Sequence, residues 1–410
     1  MMAINAISHY SLIIIISFMT TFAHAAPKFA HRSTPTGNST WVYDSEYKDG
    51  PGGKPYVKPG LFAKEIRNYN QTTAAPHKIN TIFSYGGSIE MYCMGSGGSP
   101  VDRKCKIDFN NPDNPNKNNM FVSYDNLSKS STKIYKQNIN IRHVMPIVDG
   151  NLSSDWLKTF NSNPNATKLL ADIIAWKYCA DDNVDGVQVD LEPFNIDQPG
   201  QYAFYQELSN VFQGKKSIQG IDFKCKNTIH PQGRYFSIFA FNGHWTESGT
   251  FIPYSDTKWQ KIAGILKNNG YFILSGYDLG YDLTPFNKPD QYSKYLRESI
   301  FALQNAASKY NFNYMVGIPA SASTKEFWQK CTWKSETSCA NPQYTGYKQA
   351  DYLKSAFSVI NALGIKSDPH YIGTSVWAWN TYMAYPPHSN NICQPNKPMG
   401  DVIPMLRKNL

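Results

Sequence analysis

Asp185-Gly-Val-Gln-Val-Asp-Leu-Glu192 is the stretch whose reading decides the fold. Taken as a strand, its period of two puts Val187, Val189 and Leu191 on one face. Gln188, Asp190 and Glu192 fall on the other, with alternate residues about 6.6 Å apart. Burying an amide and two carboxylates in one row is costly unless they find partners or a use. Neighbouring carboxylates do not both ionise cheaply, so one pKa is expected to rise, as a general acid working near neutral pH requires. A solvent-facing acidic strand would read the same way. Here a helix-like run precedes the strand and Pro193 ends it, which favours a parallel strand buried on both faces.

Outward from this strand the chain repeats one unit. Apolar runs with strand character fall at 41–43, 79–85, 143–148, 184–192, 235–241, 271–277, 314–318 and 371–377. Helical spacing lies between several of them. Leu169, Leu170, Ile173 and Ile174 share a face in 167–178, as do Leu353, Ala356, Val359 and Ile360 in 352–363. Strands alternating with helices pair in parallel. A count of eight predicts an α/β fold closed as a (β/α)8 TIM barrel rather than an open doubly wound sheet. The Gly-, Asn- and Pro-rich segment near residues 94–119 is too polar for a core element and is expected to be a long loop inserted over the barrel mouth. No repeat or linker divides residues 26–410, which read as a single TIM-barrel domain.

The two ends bound where such a barrel works. Residues 1–25 hold no Lys, Arg, Asp or Glu; an apolar core runs from Leu12-Ile-Ile-Ile-Ile16 to Phe22, and Ala23-His-Ala25 has the small-x-small pattern of a cleavage site. This reads as a secretory signal peptide removed after Ala25, although no Lys or Arg precedes its apolar core. It is too short and broken to span a membrane, and no later stretch approaches a span. A secreted or periplasmic soluble protein, acting as a monomer, is the expectation.

Seven cysteines follow, and an exported protein can oxidise them. Cys331 and Cys339 are close enough to close a small loop, as are Cys93 and Cys105, which leaves Cys179, Cys225 and Cys393 with at least one unpaired thiol. With no CxxC pair, no HExxH and scattered histidines, neither a metal nor a cofactor is expected. The net charge of +9 is spread without a long basic run, which argues against nucleic acid as a partner. The aromatic share of 14%, rich in Tyr and Trp, suits a carbohydrate cleft where flat rings stack on sugar faces.

Catalysis in a barrel of this kind sits at the C-terminal ends of the strands. Glu192 ends the fourth strand, with Asp190 one layer deeper and Gln188 below it. At these residues the chain resembles glycoside hydrolase family 18, the chitinase-like and endo-β-N-acetylglucosaminidase-like barrels, whose fourth strand carries Asp-Gly-x-Asp-x-Asp-x-Glu. Asp185, Gly186, Asp190 and Glu192 match, and Gln188 stands where the family has its middle Asp. Ser275-Gly-Tyr277-Asp278 resembles the Met-x-Tyr-Asp of the family's sixth strand, and Gly317-Ile-Pro319 the Gly-x-Pro of its seventh. Gly373-Thr-Ser-Val-Trp377 has the Gly-to-Trp spacing of its eighth, whereas Val148-Asp-Gly150 is a poor match to the Ser-x-Gly-Gly of its third.

The resemblance implies an enzyme that hydrolyses glycans containing β-linked N-acetylglucosamine, such as chitin, peptidoglycan or the N-glycan core. Glu192 would be general acid and base, and the substrate's N-acetyl carbonyl the nucleophile, an exception to the two-carboxylate scheme of retaining glycosidases. It implies that Asp190 orients the acetamide and Tyr277 bonds its oxygen, while Asp278 holds the sugar and Trp377 floors the subsite. Gln188 keeps hydrogen bonds at its position but carries neither charge nor proton, so a lowered rate, a shifted pH profile or a changed substrate follows from it. Two other readings remain: a non-catalytic chitinase-like glycan-binding protein, and a two-carboxylate glycosidase hinted at by Leu191-Glu192-Pro193. The latter needs an acid on the seventh strand, where residues 314–322 have none.

Overall fold

The computed structural model describes residues 35–43, 59–92, 119–151, 158, 160–215, 222–279, 288–320, 328–335, 338–344, 347, 349–380 and 402–410. The expected signal peptide, and all but the last residue of the expected insertion, lie outside them.

All eight expected strands form, and they close a parallel barrel. They are β1 (Asn38–Tyr43), β2 (Ile79–Tyr92), β3 (His143–Asn151), β4 (Gly186–Glu192), β5 (Tyr235–Ala240), β6 (Gly270–Leu274), β7 (Asn313–Pro319) and β8 (Tyr371–Asn380). Each pairs in parallel with its sequence neighbour, and β1 pairs with both β2 and β8, which closes the ring. A helix follows every strand: α1 (Ala63–Gln71), α2 (Ser128–Lys133), α3 (Pro164–Cys179), α4 (Pro199–Phe212), α5 (Asp256–Leu266), α6 (Pro289–Tyr310), α7 (Gln349–Ala362) and α8 (Ile403–Asn409). Local signals start and stop them. Pro opens α3, α4 and α6, where its missing N–H is no loss. Ser255 caps α5 by accepting from Lys258 N, and Asn311 ends α6 in the left-handed region.

The period of two sorts each strand between two cores. Val187, Val189 and Leu191 of β4 join the shell between barrel and helices, with Leu170 and Ile174 of α3 and Phe204 and Leu208 of α4. A second core fills the barrel with Trp41, Phe83, Met145, Ile147, Phe239, Tyr271, Ile273 and Met315. β4 is therefore buried on both faces, as a parallel strand must be. Its first glycine answers to packing. A Cβ on Gly186 would sit 2.0 Å from the carbonyl oxygen of Tyr235, so β5 can approach β4 only where no side chain intervenes.

Asp185, at the closed end of the barrel, is an anchor. Burial works to raise its pKa, but the nearby His143 ring, at 3.8 Å, and the charge of Lys136 prevail and hold it below the usual carboxylate range. Lys136 Nζ donates to it at 2.7 and 2.9 Å and Val144 N at 2.8 Å.

Two expectations need correction. β2 does not stop at residue 85; it bulges near Gly86 and continues to Tyr92, where it pairs antiparallel with the strand Asn119–Tyr124. Two glycines interrupt the apolar alternation there and hide the extension. The sixth strand ends at Leu274, so Tyr277 and Asp278 lie in the turn beyond it. Of the three cysteines whose pairing the sequence left open, Cys179 at the end of α3 is bonded to Cys225 ahead of β5.

Candidate active site

The inner face of β4 rises in three steps toward the mouth. Gln188 is fully buried, Asp190 half-buried and Glu192 exposed. The Oε1 of Gln188 accepts from Trp41 Nε1 at 3.3 Å, and its Nε2 has no partner. Trp41 is the hub of the barrel. Its ring meets Phe83, Phe239, Tyr277 and Trp377 at centroid distances of 5.5, 5.4, 6.1 and 5.6 Å. One side chain thus links the polar column of β4 to the aromatic residues at the ends of β6 and β8.

Asp190 carries the strongest electrostatic anomaly of the site. Its Oδ1 is sealed from solvent and has no hydrogen-bond partner. Its carboxyl is pushed well above the usual range, first by burial and then by the charges of Glu192 and Asp149. Asp149 faces it because the β3–β4 register pairs the two residues, and adjacent strands lie about 4.8 Å apart. On the far side Asp149 is in register with Ser88 of β2, whose hydroxyl donates to its Oδ1. Tyr85 Oη lies 3.0 Å from that same Ser88 hydroxyl.

Tyr277 and Trp377 form the aromatic side of the mouth. The Tyr277 ring is stacked between Trp377, at 5.1 Å and 24°, and Phe239, at 5.8 Å and 23°. The turn that presents it is pinned by Ser275 Oγ donating to Tyr277 O at 3.1 Å and by Tyr292 Oη of α6 donating to Gly276 O at 2.8 Å. Gly276 has no substitute here, since a Cβ would lie 2.1 Å from Gly317 O. Asp278 follows with φ +56°, a left-handed conformation that Asp tolerates better than most residues. Trp377 is half-buried, and its carbonyl accepts from Ala320 N at 2.7 Å.

Glu192, Asp190 and Gln188 therefore form one column, and Tyr277 and Trp377 one stack, with Trp41 between column and stack. Asp278 stands at the end of the turn beside Tyr277. Sequence reasoning passed over Trp41, Asp149, Ser88 and Tyr85. Asp149 was legible in part: it follows Met145 and Ile147 at a period of two, which already put it inside the barrel. The raised carboxyl that sequence reasoning expected for an acid belongs to Asp190. Glu192 is exposed one step above it. Among the described residues, no group of three or more His, Cys, Asp or Glu side chains is arranged to hold a metal ion.

No protein-family model matches the chain, and no curated protein matches it in sequence. Among solved structures, it is similar to the spore cortex-lytic enzyme SleL of Bacillus megaterium, at 11% identity and a TM-score of 0.48, over 94% of this chain and 75% of that one. It is similar to the C-terminal domain of a putative chitinase from Desulfitobacterium hafniense, at 12% identity and 0.46, over 92% and 99%. A third similarity is to a GH18 chitinase from Pseudoalteromonas aurantia, at 13% and 0.42, over 92% and 100%. Likeness of this depth leaves function to be argued from the site.

Proposed function

We propose that the protein is an exported glycoside hydrolase that cleaves glycans containing β-linked N-acetylglucosamine, with retention, through the substrate's own acetamide. One observation above all supports this reading. The exposed carboxyl of Glu192 stands at the end of a rigid strand, one step above Asp190, whose carboxyl holds its proton to unusually high pH. Among the described residues β7 supplies no acid that could serve as an enzymic nucleophile. With Glu192 the one exposed acid on the described β4 column, the nucleophile in this reading comes from the substrate, whose 2-acetamido carbonyl is able to serve.

In this reading Glu192 protonates the leaving glycosidic oxygen while the acetamide oxygen closes on the anomeric carbon. The same carboxylate then takes a proton from the incoming water as the oxazolinium opens. Asp190 receives the acetamide N–H and offsets the positive charge of the ring intermediate. Tyr277 bonds the acetamide oxygen, Trp377 lies under the sugar face, and Asp278 holds a hydroxyl. The Cys179–Cys225 disulfide and the apolar segment before Ala25 support an oxidising, exported setting. The test is to incubate the purified protein with chitooligosaccharides, peptidoglycan and a high-mannose glycoprotein and read the products by mass spectrometry. Release of fragments with an intact reducing-end N-acetylglucosamine is expected. Binding without products would transfer the protein to the glycan-binding class.

A further inference from the structure

The column on β4 lacks the carboxylate that would share a proton with Asp190 from below. Gln188 occupies that place, and its oxygen is committed to Trp41. We propose that Asp149 is the proton-sharing partner of Asp190, so that the carboxyl pair of this site spans β3 and β4 instead of stacking along β4. The proposal rests on the hydrolase reading above and makes Asp149 a positioning residue.

Three observations carry it. The parallel register sets Asp149 beside Asp190 on the same inner face. Asp190 Oδ1 is sealed and without a hydrogen-bond partner, so a neighbouring carboxyl is the group able to meet it when one of the two is protonated. The Oδ1 of Asp149 is already held: Ser88 donates its single proton to it, which leaves Tyr85 to donate to Ser88. That relay of two hydroxyls stabilises Asp149 as the anion and leaves the shared proton on Asp190.

When an acetamide enters, the proton crosses from Asp190 to the carboxylate of Asp149. Asp190 becomes the carboxylate that accepts the acetamide N–H, and the pair gains and loses no net proton. Ionisable groups of the described residues act on the pair from every side. Asp190 feels Glu192 on its own strand, Asp149 on β3 and the phenol of Tyr205 on α4. Asp149 has Tyr85 on β2 and the buried phenol of Tyr178 on α3.

The experiment follows the 13C carboxyl resonance of Asp190, assigned by its loss in Asp190→Asn, through a pH titration of the full chain. In Asp149→Asn the like charge and the proton acceptor are both gone, so the Asp190 curve is expected to move to lower pH. Ser88→Ala weakens the hold on the Asp149 anion and is expected to move it the same way, with Asp149 itself untouched should Asp149→Asn fail to fold. On a hydrolysed substrate, Asp149→Asn is also expected to lower kcat about tenfold or more and to shift the acid limb of the kcat/KM profile, with KM little changed. Coincident Asp190 titrations in wild type and in the variants that fold would overturn the proposal. So would a shifted titration beside an unmoved kcat/KM profile. If the wild type hydrolyses none of the three substrates, the hydrolase reading fails by itself, and the titration still decides whether the two carboxyls share a proton.

Discussion

Replacing Trp41 with Phe removes the one hydrogen bond that Gln188 makes in the barrel centre and keeps an aromatic ring there. Two costs follow. Deleting part of the indole vacates roughly 40 Å³, worth on the order of 1 kcal/mol at about 24 cal/mol per Å³. Withdrawing the donor leaves the Oε1 of a fully buried Gln188 without its partner, a cost of about 1–3 kcal/mol. The bond is long at 3.3 Å, so the lower half of that range applies. A destabilisation of about 2–3 kcal/mol is expected in equilibrium urea unfolding followed by circular dichroism. The decisive comparison is the double variant Trp41→Phe/Gln188→Met, in which both polar groups of this pair are gone. It should recover about 1 kcal/mol of the loss, because removing both partners is cheaper than stranding one. If Trp41→Phe costs less than about 0.5 kcal/mol, or if the two changes simply add, the view of this pair as an energetically coupled hydrogen bond in the barrel centre is wrong.

Glu192→Gln is expected to lower hydrolysis by about 10²–10⁴-fold, and stability by no more than about 0.5 kcal/mol because the side chain is exposed; near wild-type turnover of a natural glycan would remove Glu192 from its role. Substrates without the N-acetyl group should not turn over, and a thiazoline analogue should inhibit; comparable rates on a plain glucoside polymer would revive the two-carboxylate reading. Gln188→Asp should leave glycan affinity similar while changing rate or pH optimum by about 10²-fold, measured by calorimetry beside product analysis, and clear binding with no hydrolysis in either protein would favour a lectin. Asp172 on α3 is pushed up to about 7, by burial and then by Glu207 on α4. The folded chain then binds more protons than the unfolded one between about pH 4 and 7, so stability should fall as pH rises through that window and level off above it. Asp172→Asn should flatten that slope in Tm measured against pH, and an unchanged slope refutes the assignment.

The sequence by itself determined what is periodic and local. The alternation in 185–192 set which β4 side chains face the barrel, and the cores sort Val187, Val189 and Leu191 from Gln188 as that parity requires. The helical spacing in 167–178 and 352–363 likewise located α3 and α7. Eight such units imply closure, because parallel strands need crossover helices and both faces covered. Boundaries were less legible. β2 runs past two glycines because a bulge absorbs them, and Tyr277 and Asp278 leave β6 because a close approach at Gly276 and a left-handed residue end the ladder.

What only the tertiary structure decided is which residues of different strands share a layer. Register between strands is fixed by the packing of whole faces and leaves no mark on either strand alone. Asp149 came beside Asp190, and Ser88 beside Asp149, through such registers, and Trp41 reached Gln188 across the barrel from β1. The proton affinity of Asp190 belongs to the same class of fact. A carboxyl's charge state depends on burial and on charges brought from elsewhere in the chain, and neither exists until the barrel has closed. The pairing of Cys179 with Cys225 was decided in the same way, by where α3 ends relative to the segment that leads into β5.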